Sequence, residues 1–308
     1  MLDRGSIIRK PEDFDRFWQH VKEELTRIPF RYHIYKTSHM DFIDEVHEFS
    51  YQGAKNETIY GMELIHLGNP RPTMIFFHGY GWHKGEPHDF LDYYQIGYNI
   101  VSFDIRGQKG LSKDRYSYHS GDQRLMTRGI LHPDEYYLKH VYQDSLQLIH
   151  LIRTLPYVDP KHILLNGGSQ GGGIVLALAA LEDVSYVFAD VPSYTYFKGR
   201  LMGKHGSVRE IADYIDEHHL DRDHVLANLQ YFDNLHFAPM IKAPIFSSVG
   251  LKDQICPAEF FEMAYEMMTV DKIIYRYPEG GHEGGGATHH QRKLEKSKEY
   301  YDEYERTT

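Results

Sequence analysis

The main candidate for a catalytic residue in this chain is a serine that lies between glycines. Gly167, Ser169 and Gly171 form a G-x-S-x-G pattern. The apolar stretch 162–166 before it is typical of a strand, and the small-residue stretch 172–181 after it is typical of a helix. In a sharp strand-to-helix turn the serine hydroxyl projects above the sheet edge, and larger neighbours would clash. The pattern predicts that Ser169 is a nucleophile, the alternative being a glycine-rich turn that only packs a helix on a strand.

Two later residues could complete a serine hydrolase site. Asp253 follows the strand-like stretch 243–250, and His282 follows the next strand-like stretch, 272–278. The order nucleophile, acid, histidine is that of α/β-hydrolases. The histidine would accept the serine proton, and the aspartate would fix its tautomer. The alternative is an ordinary loop carboxylate and histidine, since the chain has 44 acidic residues and 21 histidines.

An earlier loop is expected to supply part of an oxyanion hole. The buried-strand pattern at 73–77 is followed by His78, Gly79 and Tyr80. In α/β-hydrolases the donors are the backbone N–H of the residue after the nucleophile and an N–H in this loop. We therefore expect the amides of Gln170 and Tyr80 to bind the oxyanion, although a plain turn is the alternative reading of His78 and Gly79.

Several segments together resemble the acetyl xylan esterase and cephalosporin C deacetylase family, carbohydrate esterase family seven. The resemblance covers nearly the whole chain. Its segments are residues 11–18, His78-Gly79-Tyr80, Asp104-Ile105-Arg106-Gly107-Gln108, 126–130, Gly168-Ser169-Gln170-Gly171-Gly172, Gly250-Leu251-Lys252-Asp253 and Gly281-His282-Glu283. It implies a serine esterase that removes acetyl groups from short acetylated xylo-oligosaccharides and cephalosporin C-like esters through an acyl-enzyme.

The resemblance also assigns site residues and an assembly. It implies Ser169, Asp253 and His282 as the catalytic residues and a homo-oligomer, a ring-shaped hexamer whose active sites face an inner cavity. Residues 254–259 depart from the family, because relatives usually continue there with a second proline and Ser-Thr. The opening before Pro11 is short and basic compared with relatives. These departures concern loop shape and oligomer contacts rather than the chemistry.

The elements that must position these residues predict an α/β-hydrolase fold. Strand-like and helix-like patterns alternate along the chain, which indicates a mostly parallel central sheet flanked by helices. We expect one domain over residues 1–308. Further expected elements are a helix at 11–25, an antiparallel hairpin of 46–50 and 58–67, strands at 100–104 and 186–191, and a long amphipathic helix at 136–155.

Two insertions interrupt this pattern. Residues 109–135 are polar and form either a mobile loop or, as the family resemblance implies, an extension that packs on a neighbouring subunit. Residues 194–236 read as mostly helical and stand where hydrolases carry a lid. This lid-like insertion would cover the Ser169 pocket and limit the size of the leaving group.

Other polar clusters are given supporting or structural roles. Arg106 and Gln108 are expected to brace the active-site loops, since a bidentate arginine suits a buried carboxylate. The histidines and aspartates at 218–224 are a conceivable metal site, but a solvated helix end is the preferred interpretation. His289 and His290 are expected in an exposed loop before a final helix at 292–304. We expect no cofactor and no metal, because a triad esterase needs neither.

Composition limits the partners and the compartment. The net charge of −10 argues against binding to nucleic acid or anionic membranes, which requires a basic surface. The opening residues 1–5 show no apolar core of signal-peptide length, and no apolar run along the chain reaches membrane-spanning length. The single cysteine, Cys256, cannot form an internal disulfide, which fits a reducing cytoplasm. Composition thus favours action inside the cell, and the family resemblance implies a small acetylated substrate as the partner.

Three other functions stay open from the sequence. The chain could be a general short-chain carboxylesterase or a thioesterase acting on another metabolite. A prolyl-oligopeptidase-like peptidase shares the order of catalytic residues, but no propeller-sized region precedes the hydrolase pattern and the Arg-Gly-Gln segment disfavours it. A catalytically silent binding protein is the third, and the complete triad argues against it.

Overall fold

A nine-stranded sheet crosses the computed structural model, which describes residues 9–308. Its strands are β1 (Tyr32–Met40), β2 (Ile43–Gln52), β3 (Thr58–Ile65), β4 (Arg71–Phe77), β5 (Asn99–Phe103), β6 (Val158–Gly168), β7 (Tyr186–Asp190), β8 (Ile245–Gly250) and β9 (Lys272–Tyr277). Their order is β1-β2-β3-β5-β4-β6-β7-β8-β9. Strands β1 to β3 and the β3–β5 pair are antiparallel, whereas every pair from β5 to β9 is parallel. The predicted mostly parallel α/β sheet is confirmed.

Helices cover both faces of the parallel strands. They are α1 (Phe14–Leu25), α2 (Leu91–Ile96), α3 (Tyr137–Ile152), α4 (Gln170–Leu181), α5 (Phe197–Gly203), α6 (Arg209–His218), α7 (Arg222–Leu229), α8 (Asn234–Phe237), α9 (Ala258–Met267) and α10 (Gly286–Thr307). Side chains alternate along a strand, so Ile75 and Phe77 of β4 join the core under α1, α3 and α4. Met74 joins the core under α2 and α10. Burial on both faces explains why these strands are almost uniformly apolar.

Helix α3 differs from the amphipathic helix predicted for this region. Fifteen of its 16 residues are buried, including all its polar ones except His150. Its polar face is covered because Lys139 and Gln143 contact Glu24 of α1, with distances of 3.0 and 2.7 Å to a Glu24 carboxylate oxygen. Asp144 of the same face is bound by Arg106. The polar face of α3 is therefore explained by buried contacts with Glu24 and Arg106 rather than by exposure to water.

The carboxyl ends of the parallel strands carry the loops that matter for function. Ser169 follows β6, Asp253 follows β8 and His282 follows β9. Parallel strands present their carboxyl ends at one edge of the sheet, so these residues gather on the same side. The earlier loop with Tyr80 follows β4, which lies directly beside β6.

The two insertions have different characters. Residues 109–135 are irregular apart from a short 3₁₀ turn at Leu125–Thr127, and the buried Asp114 carboxylate joins two parts of this segment by accepting from Arg128 at 2.9 Å. Residues 194–236 form α5, α6 and α7, short 3₁₀ turns and the start of α8. Their service as a lid stays a prediction. Across the part of the chain that the structure describes, no helix has both the length and the apolar character needed to cross a membrane.

The expected exposed loop at His289 and His290 is wrong. Both histidines lie in α10, which begins at Gly286, and His289 is buried. Gly284, Gly285 and Gly286 adopt positive φ angles of 53°, 94° and 52°. These glycines form the turn that starts the helix, in a place where the sequence suggested only a polar loop.

Candidate active site

Ser169 sits in a strained turn between β6 and α4. Its φ and ψ angles are 57° and −116°, a region that residues with a side chain rarely occupy. Backbone hydrogen bonds hold it there, because the Ser169 N–H donates to the Asp190 carbonyl at 2.9 Å and the Ser169 carbonyl accepts from Ser193 N–H at 2.9 Å. A Cβ at Gly171 would lie 2.0 Å from the Phe77 carbonyl oxygen. The turn therefore requires glycine at that position.

The structure brings Ser169, His282 and Asp253 into one hydrogen-bonded chain. The distance from His282 Nδ1 to Asp253 Oδ2 is 2.8 Å, and that from His282 Nε2 to Ser169 Oγ is 3.0 Å. Because a carboxylate can only accept, Nδ1 carries the proton, and Nε2 is left to accept from the serine hydroxyl. This is the relation between a nucleophile, its base and the group that orients the base.

Asp253 is held in its ionised form. Its side chain is fully buried, and burial alone raises the pKa of a carboxyl group. The hydrogen bond from His282 and those from the amides of Cys256 and Ile255, at 2.9 and 2.7 Å, outweigh burial and lower the pKa of Asp253 below its ordinary value. Asp253 therefore remains negative at neutral pH and can stabilise a protonated His282.

The two predicted oxyanion residues follow the ends of the neighbouring strands β4 and β6. Gln170 is the first residue of α4, and an amide at that position has no acceptor within its own helix. Tyr80 lies in the loop after β4, and its hydroxyl donates to Glu210 of α6 at 2.8 Å. The Gln108 side chain joins these loops, since Oε1 accepts from Gly81 N–H at 2.7 Å and Nε2 donates to Gln170 Oε1 at 2.9 Å.

Arg106 is buried behind this arrangement. It donates to both oxygens of Asp144, from Nε at 2.6 Å and from Nη2 at 2.8 Å, and Nη2 also donates to the Ala54 carbonyl at 2.8 Å. The Arg106 carbonyl accepts from the Tyr137 hydroxyl at 2.7 Å, and the same hydroxyl lies 3.1 Å from Gln108 Nε2. Arg106 thus fixes the backbone that presents Gln108 to the loops of Gly81 and Gln170.

With this geometry in view, comparison with known proteins identifies the family. A family model described as acetyl xylan esterase (AXE1) matches residues 4–300. The chain belongs to the acetyl xylan esterase family. An acetyl xylan esterase from Paenibacillus sp. R4 is 29% identical, with a TM-score of 0.88 over 96% of each chain. Acetyl xylan esterase 1 from Thermoanaerobacterium sp. JW/SL YS485 is 30% identical, with a TM-score of 0.84 over 92% of this chain and 94% of that one.

More distant relatives set the limits of the comparison. The acetyl esterase Axe7A of Xylanibacter ruminicola is 25% identical over 281 residues, which are 86% of this chain and 62% of that protein. The chain therefore spans less than two thirds of this relative. An acylaminoacyl peptidase of Pyrococcus horikoshii, 17% identical with a TM-score of 0.62 over 89% of this chain and 41% of that one, shares the fold. The predicted family and the predicted α/β-hydrolase fold are confirmed.

This member of the acetyl xylan esterase family has a supporting network that sequence reasoning missed. Asp190 at the end of β7 accepts from His289 Nε2 at 2.8 Å and from Lys293 Nζ at 2.6 Å. Burial alone raises the pKa of Asp190, but the charge of Lys293 and the hydrogen bond from His289 outweigh it and lower the pKa to about 2. His289 and Lys293 are four residues apart and so lie on one face of a helix, which could have indicated from the sequence that they act together. That spacing gives no information about Asp190 as their partner.

Of the stretch 218–224 in this acetyl xylan esterase family member, His218 alone joins a group of possible metal ligands among the described residues. Asp221 caps α7 by accepting from the amides of Asp223 and His224, which agrees with the predicted helix end. Within residues 9–308, two groups of side chains come close enough to hold an ion. They are Asp253, Cys256 and His282, and the exposed Asp122, Glu217 and His218.

Proposed function

We propose that this protein is a serine esterase that removes acetyl groups from small oxygen-linked esters through an acyl-enzyme. The observation that carries the proposal is the hydrogen-bonded chain from Ser169 through His282 to the ionised Asp253, in a member of the acetyl xylan esterase family. Each of the three comes from a different strand end, and the Ser169 turn is held in a strained geometry. Such strain marks functional sites when the surrounding structure maintains it.

In the first half of the proposed reaction, Ser169 Oγ attacks the ester carbonyl carbon. Its proton passes to His282 Nε2, and Asp253 stabilises the resulting imidazolium. The negative oxygen that forms receives hydrogen bonds from the backbone amides of Tyr80 and Gln170. The intermediate collapses, the C–O bond to the alcohol breaks, and His282 returns the proton to the leaving alcohol.

The second half releases the acetyl group. Water gives a proton to His282 Nε2 and attacks the acetyl-Ser169 carbonyl. The tetrahedral intermediate expels Ser169 Oγ, which recovers its proton from His282, and acetate departs. None of these steps calls on a group other than the residues named, so we propose no cofactor and no metal for catalysis.

The proposed substrates are short acetylated xylo-oligosaccharides and related acetyl esters. The solved relatives from Paenibacillus and Thermoanaerobacterium are called acetyl xylan esterases. The contact of Tyr80 with Glu210 ties the oxyanion loop to α6 of the predicted lid, which supports a site of limited size. A general short-chain carboxylesterase or thioesterase is the alternative. A peptidase is disfavoured, because the similarity to the Pyrococcus peptidase, at 17% identity, is a similarity of fold alone.

Two finer parts of the proposal concern setting and assembly. We propose action in the cytoplasm, supported by a single cysteine, Cys256, which is buried and has no second cysteine in the chain to pair with. We also propose a homo-oligomer, a hexamer by resemblance to the family. Size-exclusion chromatography with light scattering would measure the assembly directly.

Hydrolysis of p-nitrophenyl esters of increasing acyl length tests the function. Acetyl esters should be hydrolysed faster than butyryl and octanoyl esters, because a pocket closed by side chains excludes longer acyl groups. Ser169→Ala should lower kcat by at least about a thousandfold. Ser185→Ala, at the opposite end of the sheet next to β7, is the matched control and should keep full activity. Faster cleavage of octanoyl esters, or an active Ser169→Ala protein, would reject the proposal.

A further inference from the structure

The cysteine of this chain lies against the proposed nucleophile. Cys256 is 3% exposed, and its Sγ atom is 3.9 Å from Ser169 Oγ. The same Oγ is 3.0 Å from His282 Nε2. One ligand atom from each of Asp253, Cys256 and His282 lies within 4.8 Å of the others. A thiol, an imidazole nitrogen and a hydroxyl oxygen therefore converge on one small volume.

We propose that Cys256, His282 and Ser169 form an inhibitory site for a thiophilic divalent cation such as Zn²⁺ or Cd²⁺. Thiolate and imidazole are preferred ligands of these ions, with bonds of about 2.3 Å to sulfur and about 2.0 Å to nitrogen. Ligand atoms around one tetrahedral ion are therefore about 3.3 to 3.6 Å apart. The observed separations of 3.0 and 3.9 Å from Ser169 Oγ require only small side-chain movements to match.

Asp253 completes the site from behind His282. A histidine that binds a metal commonly donates its other ring N–H to a carboxylate, which fixes the tautomer and orients the ring. His282 Nδ1 already has this partner at 2.8 Å, so Nε2 is presented to an ion as it is to the serine. The His282 side chain is 32% exposed, so this ligand is accessible from the solvent.

Binding would replace the thiol proton by the metal. The Cys256 S–H bond breaks, the proton leaves to water, and a metal–sulfur bond forms, while His282 and Ser169 contribute lone pairs without losing protons. Arg200 opposes this step, because its Nη1 lies 3.8 Å from Sγ and its positive charge repels a cation. Once the ion is bound, Nε2 cannot accept the serine proton, so ester hydrolysis stops.

The second cluster provides a control. Asp122, Glu217 and His218 are exposed, and Arg124 already pairs with both carboxylates. That cluster lacks sulfur, so an ion there would give no metal–thiolate signal. His218→Ala therefore removes a competing ligand without touching Cys256.

Titration of the full-length protein with cadmium chloride tests the proposal by two readouts. Wild-type protein and His218→Ala should both develop the ultraviolet cadmium–thiolate charge-transfer band and lose p-nitrophenyl acetate hydrolysis together, and a chelator should reverse both. Cys256→Ala and Cys256→Ser should lack the band and need at least about tenfold more cadmium to halve their own metal-free rate of hydrolysis.

The band separates this inference from the proposed function, on which its inhibitory part rests. Ser169→Ala has no turnover to inhibit but should still show the band, weakened by loss of one ligand. A wild-type protein without esterase activity but with the band would reject the function and keep the metal site. Absence of the band in the wild-type protein, or equal inhibition of the wild-type and both Cys256 variants, would overturn the site.

Discussion

Replacing Lys293 with methionine would remove a positive charge from the network behind Ser169. Lys293 Nζ lies 2.6 Å from Asp190 Oδ2 and 3.2 Å from Asn166 Oδ1. His289 Nε2 lies 2.8 Å from the other Asp190 oxygen. Methionine keeps most of the lysine volume, so the change mainly leaves the Asp190 carboxylate with one partner fewer.

The expected loss of stability follows from the Asp190 carboxyl group. Burial alone raises its pKa, but Lys293 and His289 bring it from 3.8 down to about 2. At about 1.4 kcal/mol for each factor of ten, the network stabilises the folded state by about 2 kcal/mol. The Asp190 and Lys293 side chains are 17% and 12% exposed, and breaking buried ion pairs costs about 3 to 5 kcal/mol. We therefore expect Lys293→Met to lose about 2 to 3 kcal/mol.

Thermal denaturation followed by circular dichroism measures this loss. For a chain of this size, about 2 to 3 kcal/mol corresponds to a Tm lower by about 4 to 8 °C. Lys298→Met on the same helix is the matched control, because its pair with Asp302 is exposed on both sides, at 63% and 50%. Such pairs contribute at most about 1 kcal/mol, so Lys298→Met should change Tm by about 2 °C or less.

Two results would refute the reasoning about Lys293. In a double-mutant cycle with Asp190→Asn, the two changes should be non-additive by about 1 to 3 kcal/mol, and simple additivity would show that the pair is not coupled. A depressed folded-state pKa gives stability that is present above the ordinary aspartate pKa and is lost as pH falls. The stability gap between wild type and Lys293→Met should therefore narrow from about pH 4 to about pH 2, and a constant gap would contradict the assignment.

Three further changes test other parts of the molecule. Arg106→Met should lower the free energy of unfolding by at least about 3 kcal/mol in urea denaturation, because Asp144 and Asp114 would be buried without this partner, whereas exposed Arg209→Met should change it little. Tyr80→Phe should lower kcat/KM for p-nitrophenyl acetate about fivefold by removing the hydrogen bond to Glu210, and a Glu210→Gln background should make the change smaller. Asp253→Asn should keep the circular dichroism spectrum but reduce kcat by about ten-thousandfold, and retention of a tenth of the activity would exclude the assigned role.

The sequence predicted the positions of Ser169, Asp253 and His282 because each follows a strand with a clear apolar pattern. Strand ends in a parallel sheet meet at one edge, so chain order and strand pattern together define a spatial cluster. β1 was not predicted, because Tyr32–Met40 is mostly exposed and shows no regular alternation. A strand that buries little has no periodic signal to find.

The supporting contacts were less accessible from the sequence. Arg106 was expected to bind a carboxylate, but the identity of Asp144 depends on α3 packing across the chain. From the sequence, Cys256 served only as an indication of a reducing cytoplasm. Nothing in the order of the residues along the chain places its sulfur beside Ser169. Each of these contacts joins residues far apart in sequence, and local pattern carries no information about such pairs.

Helix α10 contacts both the strand end that supports the Ser169 turn and the strand end that precedes the His282 loop. Its Lys293 and His289 hold Asp190, whose carbonyl accepts the Ser169 amide at 2.9 Å and so supports the strained serine. His289 Nδ1 also lies 3.1 Å from the Tyr277 hydroxyl at the end of β9. The Tyr277 carbonyl accepts from the amides of Gly280 and Leu251, which begin the loops carrying His282 and Asp253. The buried His289 is therefore connected both to the Ser169 turn, through Asp190, and to the loops of Asp253 and His282, through Tyr277. These connections explain how side chains from three separate strand ends stay within hydrogen-bond distance of one another.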